Sequence, residues 1–217
     1  MSTAGHTPAM RIKSHWFRPG AGKSPAEQAS AMAFIVFRVA QSLLKRMRGA
    51  QFDIDAGQPY FAFLREVLVF LVALTDRIAH ARLGTEARAE FTQALVRHLA
   101  RNLAENEHDL LGPPAPGAAP HADSFIDLVN EVTLHYAEFG ADPATPADST
   151  GFEPDFGFVR YLGTRLEPTL PDKDRRWVLD QVMAIEAPEA IGIVQRSMRD
   201  LYDAAPRRAR RSTVSGD

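Results

Sequence analysis

Three short patterns in this chain use residue types that do chemistry. Gly20-Ala21-Gly22-Lys23-Ser24 stands directly before a helical stretch, as would a glycine loop whose backbone N–H groups cradle phosphate and whose Lys-Ser reaches phosphate and magnesium. The apolar run Val67–Thr75, closed by Asp76, then suggests a strand ending in a magnesium-binding acid. The details oppose this. The loop needs glycine where Phe17 stands, and Arg11-Ile12-Lys13-Ser14-His15 ahead of it is no buried strand. Pro25 also removes a backbone donor. The same residues read better as Ser24-Pro25-Ala26-Glu27, a capping box with proline at the first helical position.

The second pattern is Glu105-Asn106-Glu107-His108, whose Glu-x-x-His spacing puts Glu105 and His108 on one helical face, as in carboxylate-bridged metal pairs inside bundles. Glu66, Glu131 and His135 could add ligands. Such a centre needs two Glu-x-x-His helices and two further glutamates, whereas the first helix offers only Glu27. No metal or cofactor is therefore expected. The chain has no cysteine, which closes thiolate and disulfide chemistry. It has no Gly-x-Ser-x-Gly, and its seven histidines are scattered over loops and polar faces without naming a base.

The third pattern is charge. The net charge of −2 conceals basic ends, with residues 1–50 at +7 and 206–217 at +3, around a body that must carry −12. Arg207, Arg208, Arg210 and Arg211 make the tail a weak candidate for contact with an anionic partner; it is short and lacks interleaved aromatics. Otherwise it is a solubilising, disordered end. The N-terminal arm, residues 1–23, has one apolar hook at Trp16 and Phe17 and no apolar leader. The longest uninterrupted apolar run is Val67–Leu74, too short to span a membrane. A cytoplasmic protein is the expectation.

These residues must be positioned by helices. From Tyr60 to Leu74 only Arg65 and Glu66 interrupt the apolar residues, and a helix apolar nearly all round belongs inside a structure. At 100° per residue Arg65, Glu66, Asp76, Arg77 and His80 share an arc about 120° wide, so one narrow polar stripe survives on it. Helices are predicted at 24–48, ending at Gly49; at 58–83, ending at Gly84; at 85–111, capped by Thr85 and ending at Gly112; and at 123–139, capped by Asp123 or Ser124 and closed by Gly140. Shorter ones follow at 155–166, 173–185 and 188–203. No segment shows the two-residue alternation of a half-buried strand. The fold expected is all-α: an antiparallel bundle of six to seven helices in one domain, 24–205, built around the buried helix at 58–83.

The segment Gly151–Gly163 packs Phe152, Phe156, Phe158 and Tyr161 among three glycines, and glycine beside aromatic rings allows another group to come close. It either caps the bundle or forms an interface. The function expected is that of a non-enzymatic adaptor or assembly protein that binds another protein and self-associates as a homodimer. Its candidate contact residues are Arg65, Glu66, Asp76, Arg77, His80, Phe152, Phe156, Phe158 and Tyr161. The alternative is a helical bundle binding a small ligand or metal, an enzyme of the carboxylate/His kind.

Overall fold

The computed structural model describes residues 23–140 and 152–203. The arm up to Gly22, the loop 141–151 and the tail from Ala204, with Arg207, Arg208, Arg210 and Arg211, lie outside the described residues. Among the described residues there is no β-strand, and seven α-helices pack together. The chain is all-α. No described helix is long and apolar enough to cross a membrane.

α1 (Pro25–Gly49) starts on the expected capping box: Glu27 N–H donates to Ser24 Oγ at 3.2 Å and Ser24 N–H donates to Glu27 Oε2 at 2.9 Å. Its end differs from the expectation. Gly49 is the last helical residue, and the left-handed position falls two residues later, on Gln51 at φ 71°. Phe52 N–H reaches Met47 C=O and Gln51 N–H reaches Arg48 C=O, both at 3.1 Å, which is the Schellman pair of bonds. Phe52 and Met47, the residues flanking this turn, are both buried.

α2 (Gln58–His80) begins after Gly57, at φ 96°, and every residue from Val67 to Thr75 is buried. The one polar member, Thr75, donates its hydroxyl to Leu71 C=O at 2.6 Å, so nothing polar is left unpaired there. α2 packs on α1, on α3 (Thr85–Leu111) and α4 (His121–Tyr136), and on α5 (Phe156–Leu166) and α7 (Ala187–Tyr202). It ends at His80 rather than at 83. Gly84, not Thr85, occupies the N-cap of α3, with no side-chain cap bond.

α4 starts earlier than the 123 expected. Pro120 occupies its N-cap, and the ring Nε2 of His121 lies 3.1 Å from Gly112 C=O, fastening the linker to the end of α3. Neither Asp123 nor Ser124 caps it; Ser124 Oγ accepts instead from Arg65 Nη1 at 3.0 Å. α4 stops at Tyr136, and Gly140 N–H donates to Asp155 Oδ2 at 2.8 Å while Asp155 N–H donates to Gly140 C=O at 3.3 Å. Asp155 also caps α5 by accepting from Phe158 N–H at 2.8 Å. One carboxylate thus joins the ends of the intervening loop.

The two last helices expected are one uninterrupted helical stretch. α6 (Asp172–Gln181) passes into a π turn, Val182–Glu186, and then into α7, so the seven helices form six rods. Pro188 has no N–H to give to the carbonyl four residues back, and widening of the preceding turn accommodates that loss.

Candidate functional site

Every member of the α2 polar stripe that was picked out from the sequence meets a group of the same chain. Arg65 forks onto Glu107 of α3, Nε–Oε1 at 2.7 Å and Nη2–Oε2 at 2.8 Å. Glu66 receives Nε and Nη2 of Arg165 in α5 at 2.9 and 2.7 Å. Asp76 accepts from both Nε and Nη2 of Arg88 and from Thr92 Oγ1, on α3. Arg77 Nη2 donates to Phe139 C=O, and its guanidinium lies 5.2 Å from the centre of the Phe152 ring. His80 is exposed, its Nδ1 3.2 Å from Arg88 Nη1.

The two edges of the stripe serve different neighbours. Arg65 and Asp76, one edge, hold α3, while Glu66 and Arg77, the other, hold α5 and the turn after α4. Because Glu107 is 2 % exposed, its pair with Arg65 is a buried one, whose loss on one side would strand a charge. The hydrogen bonds that Arg88 donates to Asp76 raise its pKa against the effect of burial, and those that Arg165 donates to Glu66 do the same for Arg165.

The aromatic segment turns inward. Phe158 is fully buried, with its ring centre 4.7 Å from Tyr136, 5.6 Å from Phe70 and 5.5 Å from Phe152. Tyr161 meets Tyr136 edge-to-face at 5.0 Å and Phe139 at a tilt at 5.6 Å, and burial pushes its hydroxyl pKa up. The glycines do permit close approach, but to side chains of this chain: a Cβ on Gly157 would stand 2.8 Å from the Phe139 ring, and one on Gly163 would stand 2.6 Å from Leu179 Cδ1. Among these four aromatics Phe156 stays outside, at 71 % exposure.

Arg77 is where stripe and aromatics meet, and beside it lies a groove of about 380 Å³ between α3 and α4, floored by α2. Val72 and Ala73 form the floor, and Val96, Ile126 and Val129 the apolar parts of the walls. Its charged lining is Asp76 with three guanidiniums, those of Arg77, Arg88 and Arg97. Of these only Asp76 and Arg77 were picked out beforehand. On α3 the apolar line Phe91, Leu95, Leu99 and Leu103 is buried, and its flank Arg88, Thr92 and Val96, at four-residue spacing, lines the groove.

The other sets of residues do not converge. Glu105 and His108 are exposed near the end of α3, and Glu131 and His135 are exposed on α4. Among the described residues no three carboxylate or imidazole side chains gather as a metal ion would require. Lys23 precedes the helix cap and Ser24 is occupied in it. No protein-family model, no curated protein and no solved structure matches this chain.

Proposed function

We propose that this chain is a non-enzymatic helical protein-binding protein, a single domain organised around α2, that associates with a second copy of itself. The observation that carries this reading is the pair Trp177 and Ile185, 56 % and 50 % exposed on the outer side of the α6–α7 stretch. At 100° per residue two positions eight apart are offset by about 80°, and the wider π turn between them reduces that offset. Gln181, Ala184 and Pro188 lie near the same line, and none is charged. The Arg176 guanidinium lies 5.1 Å from the centre of the Trp177 ring, and a tryptophan beside an arginine among uncharged neighbours has the composition of an interface centre.

The contact residues first expected are less suited to this task. Arg65, Glu66 and Asp76 hold helices of their own chain, and Phe158 is core. An outward surface that no described element covers is the better candidate. In an isologous dimer, Trp177 of one copy would meet the same patch of the other about a two-fold axis. Multi-angle light scattering across the micromolar range is the test. A dimer that becomes monomeric on Trp177→Asp, with unchanged helical circular dichroism, supports the reading. A monomeric parent, or a variant equally dimeric, removes self-association through this face.

A further inference from the structure

We propose that the groove between α3 and α4 binds a small organic carboxylate with an apolar body, a site independent of any self-association through Trp177. Its volume, about 380 Å³, is within the roughly 300–1,000 Å³ range of small-molecule sites. Like such sites it combines an apolar floor with a few convergent polar groups.

The charge balance selects the sign of the ligand. Arg88 and Asp76 neutralise one another through their forked pair. Arg97 makes its one hydrogen bond among the described residues to Gln93 of its own helix, at 3.4 Å. Arg77 has a carbonyl and an aromatic face but no carboxylate, and its buried Nε has no hydrogen-bond partner among the described residues. Two guanidiniums therefore line the groove without an acid to match them, and a cationic occupant would be repelled. The chain's own ends carry that wrong sign, since residues 1–22 and 204–217 are both net positive.

The shape of the lining selects the rest. A guanidinium fork matches the two oxygens of a carboxylate, and Gln93 and Asn130 add neutral hydrogen-bonding groups on the two walls. Val72, Ala73, Val96, Ile126 and Val129 then face a hydrocarbon or ring rather than further charged oxygens. Arg97, the exposed cation with the weakest bond of its own, is the residue that reads the carboxylate.

The experiment is calorimetric titration of the full chain with octanoate, octylammonium and inorganic phosphate at low salt, with amide NMR shifts to locate binding. Octanoate is expected to bind, with shifts confined to 72–77, 88–97 and 126–137, and octylammonium is not. Arg97→Gln should weaken octanoate by at least about tenfold, as loss of a charge-assisted hydrogen bond implies. Ala137→Trp, at an exposed position on the lining, should abolish binding without unfolding the protein. The proposal is overturned if octanoate gives neither heat nor shifts at millimolar concentration, or binds no better than octylammonium. It also fails if Arg97→Gln leaves the affinity unchanged, or if phosphate competes on equal terms, which would mark a plain anion site.

Discussion

Arg165 in α5 holds Glu66 in α2 through two hydrogen bonds of 2.9 and 2.7 Å, while the adjacent residue Arg65 makes the same kind of fork with Glu107 of α3. Consecutive residues of one helix are thereby tied to two different neighbours, which fixes the rotation of α2 about its own axis. Apolar packing alone specifies that rotation weakly, because the helix is apolar over most of its circumference.

That relationship gives the first prediction. Glu66 is 12 % exposed in its side chain, so Arg165→Met leaves a carboxylate largely out of water and should cost about 3 kcal/mol in urea unfolding, near the lower end for broken buried pairs. The double variant Glu66→Leu, Arg165→Met should recover most of that loss, since no charge is then stranded. Equal destabilisation by the single and double variants would show that packing of the arginine stem, not its charge, is what matters.

The stripe itself could be read from α2 alone, but its partners could not. Glu107 lies 42 residues and Arg165 99 residues away in sequence, and a charge pattern on one helix has no information about which distant helix lies against it. Helix positions followed from periodicity and from the capping box at Ser24, whose bonds are local. Where a tertiary contact intervened the end was misplaced: Arg65 binds Ser124, which does not cap α4. The groove went unread for the same reason, since its lining combines three helices and its deciding residue, Arg97, looks like any surface arginine.

Burial of α2 yields the second prediction. Leu68 and Leu71 are fully buried, and changing either to alanine should cost roughly 2–5 kcal/mol, a large share of a typical domain's stability. Thermal melts of both variants within a degree or two of the parent would show that these two side chains carry little of the packing.

Two glycines should respond with opposite sign to the same substitution. Nothing lies within 4 Å of a Cβ placed on Gly49, so Gly49→Ala should stabilise α1 by about 0.5–1 kcal/mol through reduced freedom of the unfolded chain. On Gly163 the added Cβ would stand 2.6 Å from Leu179 Cδ1 and 3.4 Å from Leu179 Cα, where α5 crosses α6. Overpacking of this kind typically costs about 1–3 kcal/mol, which outweighs the helical gain of about 1 kcal/mol. Chemical denaturation of both variants reads the two signs directly. A stabilised Gly163→Ala protein would show that Leu179 moves aside without loss.

Tyr136 gives the last prediction, because its ring and its hydroxyl pull in different directions. The ring is embedded among Phe158, Phe70 and Tyr161, yet the hydroxyl is buried with no hydrogen-bond partner among the described residues. Burial, with help from Glu66 and Tyr161 and against Arg165, holds its pKa well above the ordinary phenol value. Tyr136→Phe keeps the ring and removes an unmatched polar group, so at neutral pH it should leave stability unchanged or raise it by up to about 1 kcal/mol. The pH dependence follows from the same shift. Below about pH 10 the phenol is neutral in both folded and unfolded chains; above it the unfolded chain ionises first, and stability falls as pH rises. Tyr202, pushed up to about 12 by burial, acts in the same direction. Urea midpoints compared between about pH 8 and pH 11 should therefore drop less for Tyr136→Phe than for the parent, and less again when Tyr202→Phe is added. A Tyr136→Phe protein that is markedly less stable at pH 8 and shows the parent's full alkaline drop would mean that this hydroxyl is bonded in solution and does not resist ionisation.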